Sequence, residues 1–127
     1  MSDVIMEGRC HCGAVSVSIP AQSVGVVACH CQDCQRLHGN FFAMLVVERE
    51  RAQWRGKVNI AWYPSSKGVR RGFCRHCGSR LLKDPARSPK VMVSIGLFEP
   101  GTTHGLLKNV WSDAKPHWYE LPETWTP

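Results

Sequence analysis

The segment Gly72-Phe73-Cys74-Arg75-His76-Cys77-Gly78 decides how this chain is organised. A Cys-x-x-Cys followed by glycine makes a tight turn around a metal. Glycine tolerates the backbone of that turn, and the neighbouring N–H groups can donate to the thiolates. Upstream, Val69 to Phe73 reads as a strand feeding the turn, and Asn59 to Tyr63 reads as its partner. The intervening Pro-Ser-Ser-Lys-Gly closes a hairpin with its turn at Lys67-Gly68.

Further out, the same period continues. Val15, Val17 and Ile19 alternate with small or polar residues until Pro20, which predicts a strand with one buried face. Val24 to Ala28 predicts a short strand, Phe41 to Val47 a buried one, and Val91 to Ile95 another. The segments around Trp111 and Trp118 are expected to add one more. The only helical stretch follows Cys31, where Gln-Asp-Cys-Gln-Arg-Leu-His suits a short helix stopped by Gly39. The fold class is therefore mainly β. With 127 residues and no internal repeat or long linker, the chain is expected to form one domain over residues 1–127.

Seven cysteines fall into three tight groups: Cys10 and Cys12; Cys29, Cys31 and Cys34; and Cys74 and Cys77. Disulfides fit poorly, because the number is odd and the N-terminus lacks the basic and apolar regions of an export signal. A reducing cytoplasmic location is the default expectation. Metal-ligand spacing is the reading left. In extended chain, residues two apart face the same way, so Cys10 with Cys12, and Cys29 with Cys31, can each reach one ion while His11 and His30 point elsewhere. Four cysteines in two pairs, Cys10/Cys12 and Cys74/Cys77, make a closed tetrahedral zinc site. The central three make an open one with a position for a substrate. Counting does not force that division. A histidine from among His30, His38 and His76 could close the second site as Cys₃His, while His11, His104 and His117 read as surface residues or outer neighbours of a metal.

The formal charge of +6 overstates the basic balance. Seven metal-bound thiolates against two zinc dications bring it to about +3. Arg70-Arg71 is the longest basic run, so a nucleic-acid partner is not expected, and no apolar stretch approaches a membrane span. Zinc ribbons of the nucleic-acid-binding kind place their knuckles ~15–20 residues apart, whereas half the chain separates Cys12 from Cys74. A methionine sulfoxide reductase of the B type would need a nucleophilic cysteine beyond the second knuckle, and none follows Cys77.

Taken together, Gly8-Arg-Cys-His-Cys-Gly-Ala-Val15, Cys29-His-Cys-Gln-Asp-Cys34 with Gly39 and Phe42, Ser65 to Gly68, and Gly72-Phe-Cys-Arg-His-Cys-Gly-Ser-Arg-Leu81 resemble the glutathione-dependent formaldehyde-activating enzyme family, which includes proteins similar to centromere protein V. The C-terminal Val110-Trp111-Ser112 and Lys115-Pro116-His117-Trp118 resemble its closing segment, so the likeness spans nearly the whole chain. The resemblance implies an Mss4-like fold of several twisted antiparallel sheets with zinc knuckles. It implies a structural zinc on Cys10, Cys12, Cys74 and Cys77, and a second, substrate-accessible zinc on Cys29, Cys31 and Cys34, the catalytic residues in that sense. The reaction it implies joins glutathione to formaldehyde, which is carbon–sulfur lyase chemistry in reverse.

A site with three protein ligands should hold its metal less tightly, so partial occupancy of the second zinc is expected. The expected partner is a small thiol such as glutathione. The oligomeric state is open, a homodimer among the options. Glutathione carries two carboxylates, which Arg36, Arg70 or Arg71 could meet, although all three read more simply as solvated surface cations. Trp111, Trp118, Tyr119 and Trp125 read as core or docking contacts of a terminal segment rather than a pocket wall. His38 is a weak candidate for moving a proton. The alternative function is a zinc-stabilised binding module for a protein or nucleic-acid partner, which a fourth protein ligand on the central cluster would favour.

Overall fold

A computed structural model of the chain describes residues 4–21, 25–101 and 105–125. Val24 and His104 lie outside the described residues. Strand β1 (Ile5–Arg9) pairs antiparallel with β2 (Ser16–Pro20). Val17 and Ile19 of β2, with Val15 just before it, bury one face, as expected. Ser18 on the other face is buried too, because β2 is the central strand and β5 (Gln53–Arg55) pairs along its second edge. The Ser18 hydroxyl keeps its polarity satisfied there, donating to Glu7 Oε1 at 3.1 Å and accepting from Arg55 at 3.3 Å.

The second sheet has seven strands. Besides β3 (Val26–Cys29), β4 (Phe42–Glu48), β6 (Ile60–Ser66) and β7 (Val69–Cys74), it contains β8 (Arg80–Pro85), β9 (Lys90–Ser94) and β10 (Leu106–Val110). Their order across the sheet is β10-β3-β4-β9-β8-β7-β6. The hairpin turn sits at Lys67-Gly68, with Gly68 at φ +73°, a conformation that favours glycine.

Two expectations need correction. The sheet is mixed rather than wholly antiparallel, since β10 runs parallel to β3. The last strand precedes Trp111 instead of containing it, and Trp111 and Trp118 are about two-thirds exposed. Trp111 leaves the strand at φ +56° and so ends it.

Val15, Val17, Ile19, Leu45, Leu81 and Val93 are fully buried and join side chains of both sheets into the main core. Each such aliphatic side chain contributes about 1.5–3 kcal/mol through burial. A smaller cluster of Val27, Cys29, Cys34, Phe42 and Met44 lies beneath the only α-helix of the described residues, α1 (Gln32–His38). No helix among the described residues is long and apolar enough to cross a membrane.

Candidate metal centres

The first knuckle is the turn between β1 and β2. Cys10 N–H donates to Val15 C=O at 3.0 Å, and Val15 N–H returns a bond to the Cys10 sulfur at 3.3 Å. Gly56 braces this loop from β5's side of the sheet: it adopts φ +78°, and a Cβ there would lie 2.1 Å from Ala14 O. The second knuckle is the turn between β7 and β8. Gly78 is at φ +78°, its N–H donates to Cys74 C=O at 2.8 Å, and His76 N–H points to the Cys74 sulfur at 3.4 Å.

Each knuckle belongs to a different sheet, yet the fold brings them together. Cys10, Cys12, Cys74 and Cys77 form one group whose sulfurs all lie within 4.8 Å of one another. Two of those separations, Cys10 to Cys12 and Cys12 to Cys74, are 3.7 Å. Ser79 links the loops, accepting from His11 N–H at 3.0 Å and lying 3.2 Å from the Cys77 sulfur. The hydroxyl's hydrogen bond is the leading reason that the Cys77 thiol is lowered to about 5.

The second group, Cys29, Cys31 and Cys34, comes from one short piece of chain. Cys29 ends β3, Cys31 caps α1, and Cys34 sits in its first turn, with Cys34 N–H donating to the Cys31 sulfur at 3.4 Å. The helix ends at Gly39, at φ +92°, as its sequence indicates. Cys29 and Cys34 are buried. The hydrogen bond between them divides the ionisation of the pair: it lowers the Cys29 thiol to about 5 and pushes Cys34 up, with burial adding to the rise at Cys34. The positive charge of Lys83 adds to the fall at Cys29.

Among the described residues, no histidine or carboxylate joins these three sulfurs. The three histidines considered for that place are engaged elsewhere. Fully buried His30 packs against Phe41 and Tyr119, which also touch each other, and bonds Asn109 Oδ1 through Nε2 at 2.8 Å. His38 stacks on Phe42 at 4.3 Å, and exposed His76 bonds Asn59 Oδ1 at 2.9 Å. His11 and His117 are exposed.

Beside the three-cysteine cluster opens a cleft of about 350 Å³ lined by His38, Phe42, Trp62, Arg71, Arg80 and Lys83 among others. Here the sequence reading of Arg71 as a surface cation is wrong. Arg71 is 7 % exposed and points its guanidinium at the Cys34 sulfur, with Nη1 at 3.6 Å and Nη2 at 3.7 Å. Its Nε donates to Ser65 Oγ at 3.2 Å, and Nη1 lies 3.4 Å from His38 Nε2. An arginine is always the donor, so that histidine nitrogen accepts. Burial, then the charges of Arg71 and Arg80, lower the His38 pKa to about 4. Arg70, next in sequence, behaves as expected of an exposed cation. It faces the other way, pairing with Asp84 at 2.9 Å and lying over Trp62. Arg36 is exposed.

Arg71 had a legible signal that charge alone obscured. It alternates with Val69 and Phe73 in a strand, which places it on their face rather than on that of Arg70. Lys83 stands directly opposite Arg71 in the β7–β8 ladder. Gln35 was also missed: its amide donates to His30 C=O at 2.9 Å and Ala114 C=O at 2.6 Å, tying the cysteine loop to the C-terminal segment.

No curated protein matches the sequence. Among solved structures, the crystal structure of a Rhodobacter sphaeroides protein, a structural genomics target, superposes with a TM-score of 0.63 at 24% identity, covering 75% of this chain and 89% of that one. At that identity the likeness concerns the fold. The model of the glutathione-dependent formaldehyde-activating enzyme family matches residues 5–118, which include all seven cysteines and both knuckles. On that match the chain belongs to the glutathione-dependent formaldehyde-activating enzyme family.

Proposed function

We propose that this chain binds two zinc ions and joins a small thiol, glutathione in the first instance, to formaldehyde or a related aldehyde, the same site reversing the reaction. The observation that carries this reading is the three-sulfur cluster, with no fourth protein donor among the described residues, beside a cationic and aromatic cleft.

The cysteines suit zinc on their own geometry. Sulfurs about 2.3 Å from a zinc stand roughly 3.8 Å apart at the corners of a tetrahedron, and two separations in the four-cysteine group are 3.7 Å. In both clusters backbone N–H groups already aim at sulfur, the arrangement that supports a thiolate. Cys10, Cys12, Cys74 and Cys77 would hold a closed structural ion. Cys29, Cys31 and Cys34 would hold the second and leave one position free. Zinc bound there would supply stabilisation of a thiolate at neutral pH.

The chain's own residues do the rest. Arg71 and Lys83 attract an anionic thiol and its carboxylates into the cleft, and Phe42 and Trp62 exclude water around it. Holding thiol and aldehyde together supplies much of the rate. The chemistry is redox-neutral. The sulfur–carbon bond forms as the carbonyl π pair moves to oxygen, and the proton given up by the thiol ends on that oxygen. His38, neutral at pH 7 and accepting from Arg71, orients that arginine rather than carrying the proton.

Exchange NMR with ¹³C-formaldehyde and glutathione tests the reading. The zinc-loaded protein should raise the rate of adduct formation and breakdown above the spontaneous rate. No acceleration with glutathione or with cysteine would overturn it.

A further inference from the structure

Arg71 is a buried cation with no acid paired to it among the described residues. It is 7 % exposed, and its polar contacts are Ser65, His38 and the Cys34 sulfur, none of them a carboxylate. Asp84, the buried acid of the same hairpin region, is taken by Arg49 and Arg70. Lys83 then stands opposite Arg71 in the ladder and lines the same cleft, so two like charges face each other across a strand pair. Both features are costly unless an anion offsets them, since a buried charge needs a partner and like charges opposite in a ladder repel. The anion within reach is the sulfur cluster. Three thiolates on a zinc dication carry net −1, and a fourth thiolate makes the group −2.

We propose that Arg71, with Lys83 beside it, is the counter-charge of the three-cysteine centre, positioned so that its free position selects an anionic thiolate over a neutral donor. This rests on the metal-binding reading of Cys29, Cys31 and Cys34 given above. The role is positioning: Arg71 reaches the incoming sulfur only through the field it lays across the centre. Its fork spans Cys34 with both terminal nitrogens, which also fixes the direction of that ligand. A lysine at the same place would keep the charge and lose the fork.

The test compares the full-length wild type with Arg71→Met, Arg71→Lys and Lys83→Met, each loaded with Zn²⁺ or Co²⁺. The readouts are metal per chain, release of the weaker-held metal to a mild chelator, and the glutathione-induced change in the cobalt spectrum as a function of pH. Arg71→Met should weaken glutathione binding about tenfold or more and move its pH dependence upward by about one unit, because the thiol must lose its proton without a neighbouring cation. Arg71→Lys should recover most of that shift. Lys83→Met, which leaves the buried guanidinium in place, should weaken binding about two- to fivefold and keeps the idea testable should Arg71→Met fail to fold. Binding within twofold of wild type and an unmoved pH profile in Arg71→Met, or in Lys83→Met where Arg71→Met does not fold, overturns the proposal. That outcome leaves the functional reading standing. A wild type that takes up only one metal overturns both. Normal metal and thiol responses without adduct formation would overturn the catalytic reading alone.

Discussion

The two cysteine clusters are made of the same ligand type and differ in almost everything around it. The four-cysteine group joins knuckles from two sheets, contains an exposed member in Cys12, and is surrounded by backbone hydrogen bonds and Ser79. The three-cysteine group is local in sequence, mostly buried, and faced by cations. The first arrangement suits a cross-link, because an ion there ties together two turns that belong to different sheets. The second suits chemistry, because its neighbours respond to charge rather than to shape.

That contrast can be broken, most forcefully at the cross-link. Cys74→Ser, in the four-cysteine group, should cost on the order of 5 kcal/mol or more, since metal binding at a structural site is largely folding free energy. Thermal unfolding by circular dichroism should then show no cooperative transition. A variant melting like wild type would place the structural burden elsewhere. Cys31→Ser should do the opposite, keeping a cooperative melt while losing one zinc per chain. Adduct-forming activity should fall about a thousandfold, more than the roughly 10–100-fold expected for removing a group that merely supports a ligand. Equal damage to folding from both cysteine variants would erase the distinction.

Two smaller effects sharpen it. Gly56→Ala forces a Cβ onto Ala14 O in a backbone conformation that alanine avoids, and should destabilise by about 2–3 kcal/mol in urea unfolding. Because Gly56 braces the Cys10–Val15 loop, the variant should also release the four-cysteine metal sooner while leaving the other unchanged. The smallest effect belongs to His38. Its pKa falls from about 6.5 to about 4 on folding, so below about 6.5 the unfolded chain binds a proton that the folded chain refuses. Stability from this residue is therefore full above about pH 6.5 and is lost as pH drops toward 4. Given its partial exposure, the loss amounts to about 1 kcal/mol at most. Zinc-loaded wild type should lose that much more stability than His38→Gln between pH 7.5 and 5, and equal losses would contradict the assignment.

Much of this was legible in the sequence. Alternation located β2, and the glycines after the second knuckle and α1 marked where the chain turns, since Gly78 and Gly39 both adopt positive φ. Cys10 and Cys12 meet Cys74 and Cys77 in space, and Cys29, Cys31 and Cys34 form a second group. What stayed hidden depended on contacts between distant elements. Strand β8 follows the knuckle with Arg80, Lys83 and Asp84 in it, and its charges mask a strand that is buried by pairing on both sides. The parallel pairing of β10 with β3 joins residues some eighty positions apart, which no local pattern encodes. Arg71 looked like half of an exposed Arg-Arg pair. Alternation along β7 separates its face from that of Arg70, and the contact with Cys34 of α1 shows that face buried against a sulfur.

A closed centre and an open one must differ in how they meet an added thiol. Zinc-edge X-ray absorption on the zinc-loaded protein, with and without glutathione, reads that difference. An average coordination between three and four sulfurs per zinc should rise to four when the thiol is added, as the free position fills. Four sulfurs per zinc before any thiol, or a histidine nitrogen signal unmoved by thiol, would contradict it.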